Sequence, residues 1–138
     1  MMADAELYQA LIVERTRNPR HAGKPAEVAA EGEGDNPMCG DHVNVYIAPN
    51  GAVSHVSRGC AIMVASAELM ADAVAGLAPA QVAQRRAAFE AVVNTGAPDP
   101  SLGDLNALAG VSEYRSRIRC ATLPWSALAQ ALEERKNG

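Results

Sequence analysis

From His42 the chain alternates: Val43, Val45 and Ile47 point one way, and His42, Asn44 and Tyr46 the other. That is the two-residue period of a half-buried strand. Pro49-Asn50-Gly51 is a turn signal and residues 52–58 return as a second strand, which predicts a β-hairpin. After Gly59-Cys60 the period changes. Ile62, Ser66, Leu69, Ala73 and Leu77 fall on one face of a long helix, with Glu68 and Asp72 opposite. Pro79 opens a further helix predicted over 79–93, with Val82, Phe89 and Val93 on one stripe. Asn94-Thr95-Gly96-Ala97-Pro98-Asp99-Pro100 breaks it, and a short helix is expected over 102–109, ending at Gly110.

Upstream, Leu7, Leu11 and Glu14 lie at helical spacing within 3–17, and the helix should end before Asn18-Pro19. The stretch 31–37 is glycine-rich and acidic and reads as loop or strand end. Trp125, Leu128, Ala131 and Leu132 mark a last helix, whose start Pro124 leaves open. Either a cap at Thr122 puts Pro124 in the first turn, or the helix runs from Ser116 with a kink. Strands first and helices after predict an α+β fold. A small antiparallel sheet carries helices packed on one face, in one domain over 1–138.

Hydrophobic residues make up 49% and charged residues 20% of the 138, so an ordinary core can form without staples. Aromatics are only 4%, so that core must be built from Ala, Val, Leu, Ile and Met. The net charge of −4 argues against nucleic acid as a partner, which calls for a basic patch. No apolar run approaches the ~18 residues of a membrane span. The acidic start lacks the layout of a signal peptide, and a cytoplasmic protein is expected.

That compartment matters for the three cysteines, because disulfides are rare in reducing surroundings. Cys39-Gly40-Asp41 lies between a proline-containing loop and a strand, where a thiolate and a carboxylate can reach one point. Cys60 follows a glycine at a strand-to-helix junction, where the helix dipole favours an anion. Cys120 has Arg117 and Arg119 beside it, and two cations would stabilise a thiolate. Taken singly, Cys39 and Cys120 fit buried packing residues better, and Cys60 fits either role. Together they lie at the edges of regular elements, and with Asp41 they supply four ligands for a tetrahedral site.

Several blocks resemble one family. Asn18-Pro19-Arg20 with Gly23, then Asn36-Pro37-Met38-Cys39-Gly40-Asp41, is similar to the opening of the SufU/IscU family of iron–sulfur cluster assembly proteins (NifU N-terminal-like). Gly59-Cys60-Ala61-Ile62 running into Ala65-Ser66-Ala67-Glu68-Leu69-Met70 resembles its second-cysteine block. Arg117-Ile118-Arg119-Cys120-Ala121-Thr122-Leu123-Pro124-Trp125 resembles its third. The SufU type is the nearer. Arg119 stands where IscU-type scaffolds place histidine, residues 102–112 look like the SufU insertion, and the Leu-Pro-Pro-Val-Lys motif of IscU is absent. Met63 and Pro124 depart from the SufU pattern, where serine and alanine are frequent.

The resemblance implies a SufE/NifU-like fold and one Zn²⁺ held by Cys39, Asp41, Cys60 and Cys120, with Arg119 in support. It also implies two partners, a pyridoxal-phosphate (PLP) cysteine desulfurase and an iron–sulfur cluster-building complex. A partner histidine would displace Cys39 from the metal, and the freed thiolate would take persulfide sulfur, making Cys39 the catalytic residue. This is a sulfur carrier working with a desulfurase rather than a stand-alone enzyme. The alternative within the family is a scaffold on which iron and a [2Fe–2S] cluster are assembled. Outside it stand a zinc-stabilised interaction module and a cysteine nucleophile with a histidine base. For the last, none of His21, His42 and His55 has a motif placing it beside a cysteine.

Overall fold

The computed structural model describes residues 2–38 and 40–137, with side chains described over 8–38 and 40–135. Helix α1 (Met2–Arg17) leads through a loop to three strands, β1 (Ala30–Asn36), β2 (Asp41–Ile47) and β3 (Val53–Arg58). Helices α2 (Ala61–Val74) and α3 (Pro79–Thr95) follow, then a 3-10 segment (Pro100–Glu113) and α4 (Arg115–Asn137). The strands pair antiparallel in the order β1-β2-β3. The predicted hairpin is present, with Val45 opposite His55. The α+β class holds, with the helices on one face of the sheet.

The inward face of β2 is Asp41, Val43, Val45 and Ile47, all buried. The core that Val43, Val45 and Ile47 join also holds Trp125 and Leu128 of α4, Met63 and Met70 of α2, Phe89 of α3 and Leu105 and Leu108 of the 3-10 segment. Trp125 and Phe89 stack, with ring centroids 5.3 Å apart and planes at 25°. The opposite sheet face carries the polar alternates, including His42 and Asn44, bonded to one another at 3.1 Å.

Three readings of the sequence change here. The stretch 31–37, expected as loop or strand end, is mostly strand β1, paired along its whole length with β2. Its glycines answer a packing need. A Cβ on Gly32 would stand 1.8 Å from the carbonyl oxygen of Ala127, and one on Gly34 would stand 2.9 Å from the Leu123 side chain. The α4 backbone therefore seats directly on the strand, a close approach only glycine allows. Next, α4 is one helix from Arg115 with Pro124 inside it, so the second of the two solutions is the one adopted. Finally, Glu68 is fully buried instead of facing solvent. Helix α2 has buried residues on nearly every side, as a helix apolar all round must. Among the described residues, no helix is long and apolar enough to cross a membrane.

Candidate metal centre

Three elements converge at the N-terminal end of α2. Asp41 is the first residue of β2 and points inward by strand alternation. Cys60 is the N-cap of α2, with extended backbone (φ −74°, ψ 159°) and no side-chain cap bond. Cys120 lies on α4, 2% exposed. One ligand atom from each lies within 4.8 Å of the other two. Cys60 and Cys120 are both free thiols. Cys39, the fourth expected ligand and the expected catalytic residue, lies outside the described residues.

Gly59 makes this convergence possible. A Cβ there would meet the Asp41 carboxylate oxygen at 2.2 Å and the Asp41 Cα at 2.9 Å, and its φ is +150°. The buried carboxylate occupies the space a side chain would fill. It accepts a hydrogen bond from the Cys60 backbone N–H at 3.0 Å, and the Cys60 thiol lies 3.7 Å from its other oxygen. The first-turn amides of α2 add partial positive charge, and no acidic residue in that turn opposes it.

The electrostatics around Cys120 suit a cation. Burial pushes the Cys120 thiol well above its ordinary value, and the Asp41 carboxylate and the Cys60 thiol beside it push the same way. A positive charge between these groups would favour the ionised Cys120 thiol. A divalent metal supplies that charge and deprotonates thiols outright. Tetrahedral zinc with bonds of about 2.0–2.3 Å brings its ligand atoms to roughly 3.5 Å separations, a short contraction from those seen. The sulfur–sulfur–oxygen donor set fits Zn²⁺ and equally an iron–sulfur cluster. Arg117 and Arg119 are exposed on α4, and the influences acting on the Cys120 thiol are burial, Asp41 and Cys60.

A second polar cluster sits two turns further along α2. Glu68 accepts the backbone N–H groups of Arg20 (2.6 Å) and His21 (2.9 Å) and bonds His55 Nε2 at 2.7 Å. His55 Nδ1 meets Ser57 Oγ at 2.7 Å. Asp72 pairs with Arg15 Nη2 at 2.5 Å and His21 Nε2 at 2.7 Å. Burial alone would raise Glu68, but the Arg20 amide, the His55 ring and the His21 amide outweigh it and hold the carboxyl below the usual range. This cluster fastens α1 and the Asn18-Pro19-Arg20-His21 loop to α2 and β3. The sequence reading missed it. The available signal was that Ser66, Glu68 and Asp72 are the only polar residues of an otherwise apolar α2, so buried ones needed partners.

Comparison with known proteins agrees with this geometry. The family model described as NifU-like N terminal domain matches residues 7–121. The chain is 31% identical to the iron–sulfur cluster assembly scaffold protein IscU of Streptococcus pyogenes serotype M1, over 95% of this chain and 86% of that one. It is 31% identical to the zinc-dependent sulfurtransferase SufU of Bacillus subtilis strain 168, over 96% of this chain and 93% of that one. A crystal structure described as a SUF-system iron–sulfur cluster assembly scaffold from Fervidobacterium islandicum AW-1 superposes with a TM-score of 0.76 at 28% identity. It covers 88% of this chain and 93% of its own. The N-terminal part of a NifU-like protein from Brucella abortus shares the fold, with a TM-score of 0.82 at 24% identity over 99% of each chain. The chain thus belongs to the NifU-like N-terminal domain family, alongside the IscU and SufU proteins of iron–sulfur cluster assembly.

Proposed function

We propose that this chain is a zinc-dependent sulfur carrier of the SufU kind. It would accept persulfide sulfur from a PLP-dependent cysteine desulfurase in the cytoplasm and pass it to the cluster-building complex. The observation that carries the reading is the meeting of Asp41, Cys60 and Cys120 ligand atoms within 4.8 Å, where burial, Asp41 and Cys60 together push the Cys120 thiol up. The 31% identity to a SufU named zinc-dependent supports it.

Cys39, Asp41, Cys60 and Cys120 would hold the metal, which when bound supplies the positive charge that keeps the thiols deprotonated. Asp41 is anchored by the Cys60 amide, and Cys60 by the first turn of α2, so these two ligands are held firmly. Cys120 is buried on a long helix. By its resemblance to the SufU pattern, Cys39, next to Gly40 in the sequence, would be the thiol that engages a partner. Its thiolate attacks the outer sulfur of the desulfurase persulfide. The old sulfur–sulfur bond breaks, the partner cysteine leaves as thiolate, and Cys39 carries the sulfur as a new persulfide.

The test is to mix the purified protein with its desulfurase and radiolabelled cysteine. Cys39→Ala should keep its fold by circular dichroism and lose all label. Undiminished labelling of that variant refutes the assignment. A scaffold role remains the second reading, favoured by the same donor set and by the equal identity to a relative named as a scaffold. Anaerobic addition of iron and sulfide separates the two, since a scaffold develops visible absorbance and a zinc carrier develops little.

A further inference from the structure

Helix α4 contains a proline where a helix tolerates it badly. Pro124 stands at the tenth position of the 23-residue helix Arg115–Asn137, far beyond the first turn. It has no N–H, so the carbonyl four residues earlier loses its helical donor, and the pyrrolidine ring crowds that same carbonyl. The residue four earlier is Cys120. The turn 120–124 therefore lacks the hydrogen bond that would tie the Cys120 backbone into its own helix. Cys120 is 2% exposed, which leaves water little access to replace that bond.

The next carbonyl is tied from outside. Ser66 of α2, fully buried, donates its hydroxyl to the Ala121 carbonyl oxygen at 2.5 Å. On the opposite side Leu123 sits against Gly34 of β1. Beside the carbonyl its own helix leaves without a donor, the turn of Cys120 is thus steadied by neighbouring elements. The helix that fixes it most directly is α2, whose N-cap is Cys60.

We propose that Pro124 and Ser66 are positioning residues for Cys120: the proline frees its turn from the α4 ladder, and the serine ties that turn to the helix carrying Cys60. The Cys60–Cys120 separation is then set where α2 and α4 meet, at this hydrogen bond. The inference rests on the metal reading above, and its tests separate the two.

Pro124→Ala restores the missing N–H and relaxes the turn to ideal helix. The apo variant should unfold several degrees higher than the wild type, yet bind zinc at least about tenfold more weakly in competition with a chromophoric chelator. Its Co²⁺ form should show altered sulfur-to-metal charge-transfer and ligand-field bands, which a purely structural change elsewhere would not move. Ser66→Ala removes the outside tie and should shift the same bands. The double variant should lose no more affinity than the worse single one, because both act on one turn. Zinc affinity of Pro124→Ala within about threefold of wild type, with an unchanged cobalt spectrum, overturns the proposal. If the wild type binds no zinc, the metal reading fails by itself. The positioning claim is then decided by diamide oxidation of Cys60 and Cys120 to a disulfide in apo Cys39→Ser protein. Pro124→Ala should slow that oxidation severalfold, and an equal rate refutes the claim.

Discussion

Gly59→Ala puts a methyl group where the Asp41 carboxylate now lies. The new Cβ would be 2.2 Å from Asp41 Oδ1, and ordinary contact begins at 3.4 Å, so the carboxylate must withdraw by about 1 Å. Its bond to the Cys60 N–H, now 3.0 Å, would stretch to about 4 Å and be lost. Asp41 is fully buried, so losing a charged hydrogen bond there costs about 2–3 kcal/mol. A non-glycine residue at φ +150° adds about 1 kcal/mol of backbone strain. The apo protein should therefore lose about 3–4 kcal/mol, read as a lower urea midpoint at unchanged slope. Misorienting one ligand should weaken zinc binding by about 10–100-fold in a chelator competition. Adding Asp41→Ala removes the clash, so the double variant should unfold later than Gly59→Ala alone. If Gly59→Ala unfolds within about 1 kcal/mol of wild type and binds zinc within about threefold, Gly59 does not make room for Asp41.

Two further outcomes follow from the packing and the second polar cluster. Trp125→Ala should cost about 3–5 kcal/mol in urea unfolding, from lost burial and the lost stack on Phe89. Trp125→Phe should cost far less, because the indole nitrogen is buried with no hydrogen-bond partner and its removal leaves nothing unsatisfied. Glu68 and Asp72 both titrate below their ordinary values of 4.5 and 3.8, so each stabilises the fold above those values. That stability should fall as pH drops through the depressed folded pKa of each. Glu68→Gln should flatten this acid limb of the urea midpoint against pH, and an unchanged limb would show that Glu68 does not cause it.

What could be read from the sequence was whatever announced itself by period or punctuation. The β2–β3 hairpin, the α3 start at Pro79 and the placing of Cys60 at a helix N-terminus all came from such local signals. Strand β1 did not, because its period is hidden by glycines whose purpose is to admit a distant helix. Glu68 was misplaced for a related reason. Helical spacing assigns charged residues to the wet side, but α2 has almost no wet side, and the partners that satisfy Glu68 come from residues 20, 21 and 55. Of the site, edge positions singled out Asp41 and Cys60, whereas Cys120, also expected at an element edge, lies inside α4, and the convergence of all three depends on three elements folding together. The Arg119 expectation was local in the same sense, pairing sequence neighbours that a helix turns apart, one outward and one inward.

The three described candidate ligands come from β2, the start of α2 and the middle of α4, so the pocket exists only when the sheet and both helices are assembled. A metal bound there would be linked to folding and would stabilise the assembled state by mass action. Burial raises the Cys120 thiol, so a proton there competes with any cation for the site.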